Sequence, residues 1–243
     1  MAEMGDEVES KRGGYRLIFI PGGSFAMGSA ESERGRLQCE GPLHRVVVPG
    51  FFLGRCPVTN SEYQFFLKDN PDVPEPVFFG DKGFNHPAQP VVGVSFDDAT
   101  RYCSWAGLRL PSEAEWEYAC RAGTTTRYHC GNRSTELRCV AWYSRVARRR
   151  LHAVGKKAPN AFGLYDMHGN VWEWCVDDWH DTYAGAPDDG QPWVDSVRQN
   201  TRVLRGGSWF GNHADYLRSA CRRAGDAELA EFNLGFRCAL TPD

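Results

Sequence analysis

Apolar and polar positions alternate along this chain in short stretches, which predicts many short elements joined by loops. Residues 15–20 (YRLIFI) form a β-branched and aromatic run closed by Pro21-Gly22-Gly23, a strand followed by a turn. Residues 24–28 follow, and 44–48 form a second β-branched run stopped by Pro49-Gly50. Three helix starts follow. Thr59 with Glu62 fits a capping box, and Tyr63, Phe66 and Leu67 fall on one face behind it. Ser95 can cap a second helix whose first turn carries Asp97 and Asp98, with Ala99, Tyr102, Cys103 and Ala106 as its stripe and Gly107 as its stop. Ser112 and Glu115 open a third, with Trp116, Ala119 and Cys120 facing inward. Residues 71–90 read as a proline-bearing loop. Residues 123–159 read as an irregular basic stretch, including Arg148-Arg149-Arg150, expected to be a solvated loop. The tail, 236–240, predicts a short strand. Residues 1–13 are polar and expected to fray, which leaves 14–243 as one domain.

Composition narrows the class. The chain has 243 residues, 13% of them aromatic, with 26 Gly and 14 Pro, so it is a packed but loop-rich domain and not a disordered one. Few helices among many short strands make it α+β. The formal charge is −3, from 28 basic against 31 acidic residues, which offers no electrostatic case for a nucleic-acid or anionic-membrane partner. No run of about 18 apolar residues is present, so no membrane insertion is expected. The first residues lack the apolar stretch of a secretory signal, which points to the cytoplasm, although nine cysteines leave an oxidising compartment open. No two of those cysteines have CxxC spacing, so a structural zinc site is not expected.

Several segments, in order, resemble the formylglycine-generating enzyme family, the sulfatase-modifying factors. They are IPGGSFAMG from Ile20, PVTN from Pro57, PVVGVS from Pro90, WAGLRLPSEAEWEY from Trp105, NAFGLYDMHGNVWEW from Asn160, RGGSW from Arg205 and NLGFR from Asn233. The resemblance implies the family fold, a C-type-lectin-like variant of α+β. The same motifs around Gly-Gly-Ser-Trp and Leu-Gly-Phe-Arg resemble the variable proteins of diversity-generating retroelements, in which the segment between the two motifs is diversified for binding. Here that segment is 210–232, and from Phe210 to Ala227 it lacks Lys, Gln, Glu, Met and Trp, the types that codons ending in a pyrimidine cannot encode.

The resemblance also implies a chemistry, which these residues qualify. Family enzymes oxidise a sulfatase cysteine to formylglycine with copper held by two cysteines, a soft pair suited to Cu(I). In the register set by Gly206-Gly207-Ser208 and by Arg218 and Cys221, those two positions carry Gly211 and Tyr216. Neither supplies a thiolate, so copper is not expected and the chain reads as a non-catalytic binder of a protein or small-molecule ligand. The alternative is a copper-dependent formylglycine-generating oxidase or another oxidoreductase of the same family, whose chemistry would come from a remaining thiol such as Cys175 or Cys56. Phe210, Gly211, Asn212, His213, Asp215, Tyr216 and Arg218 are the expected ligand-binding residues, mixing aromatic area with polar groups. Trp209 is expected to be core. His213 and Asp215 could form a base with its orienter, and Ser219 is a nucleophile only by proximity. From the family, Asn170, Val171 and Glu173 are expected to hold a calcium ion. The family likewise implies that Cys103 pairs with Cys238 and Cys120 with Cys221; Cys130 and Cys139 are a weaker third pair.

Overall fold

The computed structural model describes residues 2–144, 146–211 and 213–242. Its strands are β1 (Glu7–Glu9), β2 (Arg16–Ile20), β3 (Gly23–Met27), β4 (His44–Val48), β5 (Phe51–Gly54), β6 (Ala141–Trp142), β7 (His168–Gly169), β8 (Trp172–Asp178), β9 (Thr201–Arg205), β10 (Arg222–Asp226), β11 (Leu234–Gly235) and β12 (Ala239–Leu240). The helices are α1 (Asn60–Asp69), α2 (Phe96–Ala106) and α3 (Glu113–Arg121). One four-stranded sheet runs β1-β2-β5-β12, a second runs β10-β9-β8-β11, and β3-β4 and β6-β7 form two-stranded pairs. This is the loop-rich α+β fold expected of the family.

All three helix starts are capping boxes. Each cap side chain accepts from the backbone three residues on, and the acidic side chain there reaches back to the cap. Gly107 ends α2 in the left-handed conformation. In α3 every residue is buried, because one face meets the β3-β4 hairpin and the other meets β8 and β9. Two expectations shift. Residues 7–9 pair antiparallel with β2 and extend its sheet, so the polar N-terminus contributes an edge strand. The tail strand shortens to Ala239–Leu240, because Phe236 to Cys238 turn inward, with Phe236, Arg237 and Cys238 fully buried.

The basic stretch after Gly123 is irregular, as its composition implies, but it is not merely solvated. Its Tyr128, Leu137, Val140, Ala141 and Tyr143 pack with Ala214 and Leu217 into a separate apolar cluster under the loop that follows β9. That loop is also held by buried arginines. Arg205, Arg218, Arg222 and Arg237 are among the largest fully buried side chains. Arg205 pairs with Glu117 and donates to the carbonyls of Ser219, Ala220 and Cys221 at 2.9, 2.9 and 2.7 Å. Arg222 grips both oxygens of Glu113 at 2.8 Å.

No disulfide is formed in this structure, where all nine cysteines are free thiols. Cys103 and Cys238 do meet, Sγ to Sγ at 3.3 Å, in contact but unbonded. The sulfur of Cys120 instead faces Met167 O, His168 Nδ1 and Ser219 Oγ at 3.8, 3.8 and 3.7 Å, not Cys221. Cys130 is half-buried and Cys139 exposed, and both are free. No helix among the described residues is long and apolar enough to cross a membrane.

Candidate functional site

The segment after β9 leaves the sheet through two glycines. At Gly207, φ is +75° and a side chain would stand 2.9 Å from the Tyr216 carbonyl, so only glycine lets the two ends of the loop close on each other. The nitrogen of Trp209 donates to the Asn170 carbonyl at 2.9 Å, which anchors the start of the loop, and Trp209 is 5% exposed, core as expected. Its indole N–H has no acceptor among the described residues. Arg218 anchors the other end.

The expected ligand-binding residues separate into three groups. His213, Asp215 and Tyr216 line an opening of about 410 Å³ whose opposite wall is Gly35, Arg36 and Leu37, with buried Arg218 completing it. Tyr216 is 45% exposed and Leu37 37%. His213 Nδ1 lies 3.2 Å from Asp215, and Arg127 pairs with the other oxygen of the same carboxylate. Asp215 therefore bridges His213 and Arg127, so the expected His-Asp pair does meet, but His213 is largely exposed and Ser219 is fully buried. Gly35 is required for this wall, since φ is +81° and a Cβ would stand 2.7 Å from Asp215 Cγ. Phe210 falls in the second group. It is 43% exposed and packs on Phe232 and Trp209, with ring centroids 4.9 and 5.3 Å away. Gly211 sits beyond it at φ +66°, with no atom within 4 Å of where a side chain would begin. Asn212 lies outside the described residues.

Arg218 is the third group, and here the expectation is corrected. It is 1% exposed and all five of its N–H donors are used: Asp215 O at 2.9 Å, Glu33 at 2.8 Å, Gly35 O at 2.6 Å, and Glu40 twice, at 2.5 and 2.7 Å. It holds the two walls of the opening together and has no donor left for a ligand. The sequence carried no local signal for Gly35, Arg36, Leu37 or Arg127, because they come from segments far away in the chain.

The expected calcium ligands are engaged by the protein's own groups. Asn170 stands at φ +64°, a conformation Asn tolerates better than most residues, and its carboxamide is spent on both main-chain groups of His152, at 3.2 and 3.1 Å. Glu173 accepts from Arg237 at 2.6 and 2.8 Å and from the Trp116 indole at 2.8 Å. A carboxylate that sequence reasoning passed over lies nearby: Asp166, 2% exposed, whose Oδ2 accepts from Gly155 N while Oδ1 has no partner among the described residues. Burial, reinforced by the charge of Glu173, pushes its pKa up to about 6. Among the described residues no three His, Cys, Asp or Glu side chains cluster to hold a metal.

Burial pushes Cys56, Cys120 and Cys221 up to about 12, and Cys175 well above its ordinary value. Thiolate at neutral pH is then roughly one part in 10⁵. Ser219 is fully buried, its hydroxyl 3.7 Å from the Cys120 sulfur.

Residues 5–242 match the sulfatase-modifying factor enzyme 1-like domain. The formylglycine-generating enzyme of Streptomyces coelicolor is 34% identical over 96% of this chain and 91% of its own length. Among solved structures, PvdO from Pseudomonas aeruginosa superposes with a TM-score of 0.90 at 31% identity, each chain covered in full. Variable protein 1 of Treponema denticola superposes at 0.80 with 26% identity, covering 98% of this chain and 99% of its own. With fold, motifs and relatives in agreement, the chain belongs to the formylglycine-generating enzyme family.

Proposed function

We propose that this chain is a ligand-binding member of the family without formylglycine-generating activity, and that the loop after Trp209 presents its binding surface to a protein or small molecule. The observation that carries the reading is the pair Gly211 and Tyr216. One is an open, left-handed glycine and the other an exposed phenol at the wall of an opening, where copper chemistry needs two thiolates. The likeness to a variable protein supports the same reading, as does a loop of exposed aromatics rooted in buried ion pairs. Rigid anchors under exposed side chains keep the entropic loss on binding small. Calcium enters as a structural ion at the segment of Asn170, Val171 and Glu173, with the neighbouring Asp166 as the carboxylate that has an oxygen to spare for it. The spare, buried Oδ1 of Asp166 supports this, and hard oxygen donors suit calcium. The test is Cu(I) uptake measured by competition with a chelator. The protein leaves the metal on the chelator, whereas the double variant Gly211→Cys/Tyr216→Cys captures it. Stoichiometric capture by the unaltered protein would overturn the reading.

A further inference from the structure

Ten of the chain's 28 basic residues and one of its 31 acidic ones, Glu136, fall between 121 and 160, a net +9 in a chain whose total is −3. Arg121 is tied to Glu117, Arg127 to Asp215, and Lys157 to the Arg138 carbonyl and the face of Trp142. Arg148, Arg149 and Arg150 are different. They are exposed and, among the described residues, their side chains have no hydrogen bond or ion pair. They are also held in place. Ala147 and Leu151 on either side are buried in one cluster with Trp209, Val92 and Val171. His152 closes the turn with a bond of 2.8 Å to the Ala147 carbonyl, stacks on Trp142 at 3.7 Å, and is clamped by Asn170. Arg148 and Arg149 adopt φ of +53° and +56°, a conformation unfavourable for arginine that the anchors on both sides impose.

The same cluster carries partly buried Phe78, Phe84 and Phe232 at its edge, with exposed Phe210 packed on Phe232. The arginine turn and the aromatic edge of the binding loop therefore share one base. From this juxtaposition we propose that the partner is an acidic segment of another protein bearing large apolar side chains, its carboxylates on Arg148–Arg150 and its apolar groups against Phe210 and Phe232. The inference rests on the binding reading given above and names the partner class. Charge complementarity selects the acidic partner. A peptide fits better than a nucleic acid or an anionic membrane. The three arginines are consecutive on one turn instead of tracking a repeating phosphate backbone, and the rest of the chain, net −12, repels an extended polyanion.

Anisotropy of a short labelled Glu/Asp-rich peptide carrying two Phe tests this, beside its Lys-reversed counterpart, oligothymidylate, and vesicles containing phosphatidylglycerol. The acidic peptide binds, and binding weakens as salt rises from about 50 to about 300 mM. The triple variant R148A/R149A/R150A weakens it at least about tenfold with an unchanged unfolding midpoint, and F210A weakens it about threefold. No binding of the acidic peptide, unchanged affinity in the triple variant, or tighter binding of oligothymidylate or vesicles would overturn the inference. Affinity lost in H213A/Y216A but kept in the arginine variant would overturn it too, while leaving the binding reading intact; failure of that reading itself is seen separately, as copper capture.

Discussion

Arg218 is conspicuous as a residue because its chemistry and its role part company. In a sequence, an arginine among Asn, His, Asp and Tyr looks like a ligand contact. In the fold it is the fastening between the site loop and residues 33–40. Arg218→Ala would strand Glu40, which is fully buried, and leave a charge unpaired. A loss of about 3–5 kcal/mol is expected, read from urea unfolding. Tyr216→Ala, at an exposed position of the same loop, is expected to change stability by less than about 0.5 kcal/mol. If the two variants were equally stable, the division between anchor and binding surface would be wrong. Asp166 gives the calcium reading its own test at this scale. Calcium should raise the thermal midpoint and a chelator reverse the gain, whereas Asp166→Ala should remove the response.

Between elements, α2 meets the chain's end where the Cys103 and Cys238 sulfurs touch. Mild oxidation is expected to join them, seen as the loss of two hydrogens in the intact mass. Closing a loop of 135 residues should stabilise by about 4–5 kcal/mol in the chain-entropy model. A Cys103→Ala protein that gains as much on oxidation would refute the pairing. A second prediction concerns the contact between the loop after Arg127 and β7. His129 stacks on His168 at 4.8 Å, and burial lowers its pKa from 6.5 to about 4. The unfolded chain thus binds a proton at His129 below pH 6.5 that the folded chain refuses until about pH 4. Stability from this group is complete above pH 6.5 and is lost as pH falls from 6.5 to 4, by up to about 3 kcal/mol. His129→Gln should flatten that part of the pH profile, and an unchanged profile would exclude the effect.

For the whole molecule, local order was legible and long-range order was not. The three helix starts, the strand at 44–48 and the core position of Trp209 could be read directly, because capping and periodicity involve neighbours in sequence. The motifs carried the fold. What could not be read was which charges are buried. Glu40, Glu113 and Glu117 look solvated until they meet arginines far along the chain, and Asn170 and Glu173 look like metal ligands until His152 and Arg237 engage them. The opening was only half legible for the same reason, since its second wall comes from residues 35–37. Of the two cysteine pairs the family implies, Cys103 meets Cys238, whereas Cys120 faces His168 and Ser219. The central claim is that this scaffold binds and does not oxidise. It is tested most directly by incubating the protein with Cu(I), oxygen and a cysteine-bearing sulfatase peptide and measuring aldehyde by mass spectrometry. The account predicts peptide unchanged beyond a protein-free control; aldehyde forming at a rate proportional to protein and copper would contradict it.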